Sequence, residues 1–190
     1  MMRIITGSAR GTHLYTLAGD ATRPTAERTK EAVFSMLQDS IRGARVLDLF
    51  AGSGQLGLEA LSRGAALAVF TDGAKDAVEI VRRNAERTHL TEKARILQAE
   101  ALSYLRACKE GPFDLVFLDP PYKGGLLPPC LSTLLAHGLL ADGALIIAES
   151  GSFADVFGGD EALAEAFEIK KQNRYGSGFV TVLTVKEKEV

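Results

Sequence analysis

Asp119, Pro120, Pro121 and Tyr122 follow directly on an apolar run, Phe113-Asp114-Leu115-Val116-Phe117-Leu118, and together these four residue types can grip a flat ring that carries an amine. The run reads as a buried strand, and open α/β sheets bind ligands beyond the carboxyl ends of their strands. Both prolines fix φ and lack a backbone N–H, and a residue ahead of a proline is pushed toward extended backbone. The turn is therefore stiff, with carbonyls free to accept hydrogen bonds. Asp119 and the Pro120 carbonyl can converge on one NH₂ group. A purine amine is a weak nucleophile because its lone pair is delocalised into the ring. Two acceptors on its two N–H bonds favour the geometry that frees that pair, which is catalysis by position and electrostatics. Tyr122 can stack on the base, a contact worth roughly 1–3 kcal/mol in single-strand recognition. A plain strand-end turn would have the same composition; a second motif argues for chemistry.

That motif is Val46-Leu47-Asp48-Leu49-Phe50-Ala51-Gly52-Ser53-Gly54-Gln55-Leu56-Gly57, an apolar strand running into a glycine turn and then into helical spacing over 56–61. Gly52, Gly54 and Gly57 satisfy G-x-G-x-x-G, which permits a tight turn and close backbone approach to a ligand at a helix N-terminus. The pattern fits a dinucleotide as readily as S-adenosylmethionine, and Asp72, closing the next apolar run, could bind ribose hydroxyls in either. Asp48 separates the two. A carboxylate four residues ahead of the first glycine is unfavourable beside a pyrophosphate and favourable beside an ammonium and a sulfonium. The plainer readings are a buried turn-capping carboxylate for Asp48 and a strand-end cap for Asp72.

Asp48 to Gly54 followed by Asp119 to Tyr122 resembles the amino-methylating class I methyltransferases. Upstream, Arg23-Pro24-Thr25-Ala26-Glu27-Arg28-Thr29-Lys30-Glu31-Ala32-Val33-Phe34, preceded by Gly7-Ser8-Ala9-Arg10-Gly11, narrows the likeness to the bacterial 16S rRNA (guanine(966)-N(2))-methyltransferase family, from Arg3 to Gly176. The resemblance implies that Asp48, Phe50, Ala51, Gly52, Ser53 and Gly54 line the methionine part of S-adenosylmethionine. It implies that Asp72 takes the ribose, that Glu100 with Ala101 takes the adenine, and that Asp119, Pro120, Pro121 and Tyr122 hold the guanine. The chain departs from the family pattern at Asp72-Gly73-Ala74, where a glutamate and further charge are usual, at Glu100, usually aspartate, and at Thr12, often basic. A first-turn helix glutamate favoured by the helix dipole is the plainer reading of Glu100.

A net charge of −2 is low for an RNA enzyme, since nucleic-acid affinity rests largely on phosphate neutralisation. Residues 1–45 nevertheless carry seven basic against four acidic side chains, a balance of +3, which leaves −5 on the remainder. An RNA-facing N-terminal arm on an acidic body follows, with Arg3, Arg10, Arg23, Thr25 and Arg28 as its candidate contacts; scattered solvated arginines give the same count. So modest a charge favours an assembled small ribosomal subunit over naked RNA as the substrate, as does the resemblance. Cys108 and Cys130 are too few for a disulfide framework and lack metal-ligand spacing with the histidines, so no metal is expected. Apolar runs too short to cross a bilayer and a glycine at position 7 point to a cytoplasmic chain without a signal peptide, expected to be a monomer.

These motifs need a sheet to position them. A short hairpin is expected from 3–6 and 13–17 around 7–11, and a helix over 26–38 opened by Pro24-Thr25. Strands are expected at 45–50, 66–71, 94–98, 113–118 and 144–149, with helices near 56–63, 75–88, 101–109 and 126–137 between them. Strand and helix in alternation give a parallel doubly wound sheet. Late strands at 167–171 and 178–186 would complete the seven-stranded, mostly parallel, Rossmann-like α/β sheet that the resemblance implies. One substantial core suits 190 residues at 46% apolar composition. Residues 1–42 are read as a small hairpin and helix extension, and 43–190 as one catalytic unit. The rivals are a nucleotide-linked oxidoreductase, a non-catalytic RNA-binding module on the same fold, and an amino-methyltransferase acting on DNA adenine or cytosine or on a protein glutamine amide.

Overall fold

The computed structural model describes residues 2–17, 24–121 and 124–187. Seven strands form one sheet: β1 (Arg45–Asp48), β2 (Leu67–Asp72), β3 (Ala94–Gln98), β4 (Phe113–Leu118), β5 (Leu140–Ser150), β6 (Phe167–Tyr175) and β7 (Gly178–Val185). Their order is β3-β2-β1-β4-β5-β7-β6. The first five run parallel, and β7 is antiparallel to both β5 and β6. Chain order reverses between β1 and β4, so the crevice above their carboxyl ends is the switch point where doubly wound sheets bind ligands.

The sheet is buried on both faces, which is why β1, β2 and β4 read as continuous apolar runs rather than alternating ones. Alternate residues along a strand feed opposite cores. Val46, Leu115, Phe117 and Ile147 pack with α1 (Pro24–Met36), α2 (Gln55–Ser62) and α3 (Lys75–Arg87) on one face. Leu47, Val116, Leu118 and Ile146 pack with α4 (Ala101–Ala107), α5 (Leu127–Ala136) and α6 (Glu161–Ala166) on the other. The prolines of α5 fall in its first turn, where no N–H is needed.

The expected hairpin is closed by one antiparallel bridge, Arg3 with His13, rather than by a ladder. Its backbone turns tightly, with Gly11 N–H on Ile4 O at 2.8 Å and Leu14 N–H on Met2 O at 2.9 Å. Side chains of α2 supply the partners that a second strand would have given. Glu59, fully buried, accepts from Ile5 N–H at 2.7 Å and Thr6 N–H at 3.0 Å, and Ser62 Oγ accepts from Ala9 N–H at 3.0 Å. Ile4, Ala9 and Leu14 thereby join the same core as Val46 and Phe117.

Candidate active site

The glycine loop leaves β1 and turns back into α2 with Gly52 at φ +54° and Gly54 at φ +77°, backbone that side-chain-bearing residues rarely adopt. Gly57, in the first turn of α2, lies against Phe70 of β2; a Cβ there would come within 2.3 Å of the ring, so the helix reaches the sheet only because the position is glycine. Close packing in turn brings Gly57 N–H to Asp48 Oδ2 at 3.0 Å. Asp48 is 2% exposed. Burial pushes its carboxyl up to about 7, against the stabilising Gly57 N–H, and the Asp72 carboxylate adds to the rise. A carboxylate buried beneath the loop, with no cationic partner among the described residues, is the group an ammonium-bearing ligand would relieve.

Asp72 ends β2 and braces the loop from the side, accepting from Gly52 N–H at 3.0 Å and from Ala74 N–H at 2.9 Å. Each carboxylate oxygen keeps lone-pair capacity for a hydroxyl donor. Glu100 precedes α4 as its N-cap residue and makes no side-chain cap hydrogen bond. Its carboxylate instead leans over Gly73: a Cβ there would meet Glu100 Oε1 at 2.5 Å. Glycine at position 73 thus leaves room for the Glu100 carboxylate just past the end of β2. Ala101 follows as the buried first residue of α4, and Phe50, half-buried, packs toward the α4 side of the sheet.

Asp119 continues β4 two residues beyond Phe117, which pairs with Asp48 across the parallel β1/β4 ladder. Asp119 is therefore level with Phe50, two residues past Asp48, on the neighbouring strand at the switch point. Pro120 is buried and Pro121 exposed; Tyr122 lies outside the described residues. On the β5 side, Pro120 and Pro121 border a small open pocket whose other walls include Leu126, Leu127, Glu149, Ser150 and Asp155. Sequence reading missed Glu149 and Asp155. Glu149 is next after Ala148, the partner of Leu118, so the pairing of β4 with β5 was the signal that could have found it.

The candidate RNA contacts are spread differently. Arg3 Nε donates to Glu27 Oε1 at 2.7 Å, a pair that holds the Glu27 carboxyl below its usual range. Arg10 and Arg28 are exposed, while Arg23 and the Thr25 side chain lie outside the described residues. Among the described residues no three of His, Cys, Asp and Glu are grouped to hold a metal ion, and no helix is long and apolar enough to cross a membrane.

The strand order, the glycine loop over a buried acid and the acid-proline-proline turn at the switch point define a class I methyltransferase, with S-adenosylmethionine as its cofactor. A family model described as "Conserved hypothetical protein 95" matches residues 2–184, and the chain belongs to that family. The protein named Ribosomal RNA small subunit methyltransferase D in Escherichia coli K12 is 42% identical over 149 residues, 78% of this chain and 74% of that protein. Its namesake in Haemophilus influenzae is 37% identical over 151 residues, 78% of each. Among solved structures, Escherichia coli yhhF matches with a TM-score of 0.83 at 34% identity, covering 97% of this chain and 98% of that one.

Proposed function

We propose that this protein methylates the exocyclic N2 amine of a guanine in 16S rRNA, within the small ribosomal subunit. The observation that carries the reading is two acidic positions with different tasks on neighbouring strands at the switch point: Asp48 buried under the glycine loop, and Asp119 opening the diproline turn two residues further along. The relatives named for small-subunit rRNA methylation support RNA over DNA or protein as the substrate.

When bound, S-adenosylmethionine supplies a methyl group on a sulfonium, electrophilic enough to be taken by a neutral amine. Asp48 would face the ammonium, and the Phe50 to Gly54 backbone would hold the methionine part. Asp72 would accept from the ribose hydroxyls, and Glu100 with Ala101 would border the adenine. The guanine is unstacked into the pocket beside Pro120 and Pro121. There Asp119 and the Pro120 carbonyl accept hydrogen bonds from the two N2–H groups and aim the lone pair, and Tyr122 stacks on the ring. The new N2–methyl bond would form as the methyl–sulfur bond of the sulfonium breaks, leaving a neutral thioether, and one N2 proton would leave to Asp119 or to water. Residues 1–42 serve as the RNA-facing extension of the catalytic unit 43–190, which acts as a monomer.

The test is transfer of labelled methyl to unmodified small subunits, naked 16S rRNA, duplex DNA and a mixed protein extract, with nucleoside analysis of whatever is labelled. N2-methylguanosine in the subunits is the expected product. Label in DNA or protein alone would retain the fold and the Asp119 chemistry and discard the substrate.

A further inference from the structure

Tyr15 follows the arm's single bridge, 39% exposed, and two arginines of α3 close on it. The Arg83 guanidinium lies 4.2 Å from the ring centroid and that of Arg87 at 5.1 Å, with Arg87 Nη1 donating to the tyrosine hydroxyl at 3.1 Å. The backbone under the ring is pinned from both sides. Asn84, fully buried, accepts from Tyr15 N–H at 2.8 Å and donates to Tyr15 O at 2.9 Å. Asn84 Nδ2 also reaches Ser53 O, inside the glycine loop, at 2.8 Å. The cluster is thus one side chain away from the cofactor loop. Arg82 is paired with Glu79 at 3.7 Å, whereas among the described residues neither Arg83 nor Arg87 pairs with a carboxylate.

We propose that Tyr15, Arg83 and Arg87 form an RNA-backbone site that grips phosphates of the strand leading to the target nucleotide. The inference rests on the function proposed above and adds a contact surface on α3 to it. A guanidinium stacked on an aromatic ring keeps its N–H edge in the plane of the group, free to fork onto phosphate oxygens. Stacking also holds two otherwise floppy side chains in place before RNA arrives, which lowers the entropy lost on binding. A purely structural role for Tyr15 would need the ring and the Asn84 bonds but no unpaired cations.

The test uses the full chain with R83A/R87A and, separately, Y15A, and measures three quantities: KM for unmodified small subunits, the salt dependence of rRNA affinity, and affinity for S-adenosylmethionine. Each phosphate left without its arginine should lower the slope of log affinity against log salt by about 0.7–0.9, so the double variant should show a slope shallower by roughly 1.5. A rise of about tenfold or more in KM, with cofactor affinity unchanged, is expected for R83A/R87A and a smaller rise for Y15A. An unchanged KM and slope would overturn the proposal. So would a parallel loss of cofactor binding with the salt slope intact, which would make the cluster a brace for the glycine loop. Wild-type protein in the same assay separates the two claims: inactivity on every rRNA substrate refutes the function itself, whereas an active wild type with indifferent variants refutes only the site on α3.

Discussion

Replacing Asp48 by Asn should make the cofactor-free protein more stable and the cofactor complex weaker. The amide keeps the acceptor oxygen that faces Gly57 N–H at 3.0 Å but cannot ionise. In the native protein the carboxyl, ordinarily near 3.8, titrates near 7 because it is buried. Each tenfold change in proton affinity is worth about 1.4 kcal/mol, so ionised Asp48 costs the fold as much as about 4 kcal/mol above pH 7. The sign follows from proton counting: between pH 3.8 and 7 the native state holds a proton that the unfolded chain has released, so Asp48 drains stability as pH rises through that window. D48N removes the drain. Its advantage over wild type should be near zero at pH 4 and reach as much as about 4 kcal/mol by pH 8, where melting would rise by up to roughly 8–16 °C for a domain of this size. Cofactor affinity should move the other way, falling at least about 30-fold at pH 8 as a buried charge pair loses one member. Wild-type affinity should itself fall about tenfold per pH unit below 7, while that of D48N stays flat. Thermal melts from pH 4 to 8.5 with calorimetric titration of S-adenosylmethionine measure both trends. A variant less stable than wild type at pH 8, or one that binds the cofactor as tightly, would refute the placement of a frustrated carboxylate under the ammonium.

Asp119→Ala should reduce turnover at least about 10³-fold while leaving cofactor affinity within about twofold if the side chain holds the amine as proposed; single-turnover methylation with saturating cofactor checks this. Glu59→Gln should destabilise the protein by about 3–5 kcal/mol, since it strips the carboxylate from buried Lys30 at 3.8 Å and from Arg63 at 2.8 Å as well as weakening the grip on Ile5 and Thr6. Denaturant melts and limited proteolysis of the first 17 residues read that out. Gly57→Ala, driving a methyl toward the Phe70 ring, should cost about 1–3 kcal/mol and loosen cofactor binding together with stability.

How much of the molecule is legible in its sequence depends on the distance over which a residue acts. The bounds of β3 and β4 are those expected from sequence, and α2 and α3 fall within a residue of it, because apolar periodicity and the flanking glycines are local signals. β6 was expected to stop at Lys171 and runs on to Tyr175, since its pairing with β7 across Arg174 and Phe179 is not encoded in either segment alone. α6, six residues over Glu161–Ala166, is too short for periodicity to show and is announced only by Asp160 capping Leu163 N–H. In the site, Asp48, Asp72 and the acid-proline-proline turn were legible because their residue types are unusual where they fall. Buried Glu59 and Asn84 were not: each sits in an ordinary amphipathic helix, and what it holds lies dozens of residues away. Lys30 is equally hidden, buried by α2 with its ammonium on Arg3 O at 2.6 Å, where desolvation lowers its pKa.

The attachment of the arm also sets a schedule for synthesis. Ile5 and Thr6 await Glu59, 54 and 53 residues downstream, Tyr15 awaits Asn84 at a separation of 69, and Arg45 N–H, at the start of the central strand, awaits the Asp114 carboxylate, again 69 residues on. At roughly 5–20 residues per second, a nascent chain spends on the order of 4–14 s with its first segment made and its partners not yet translated. Ile4, Ala9 and Leu14 are exposed to chaperones and proteases for that interval. The arm is thus made well before the helices that hold it.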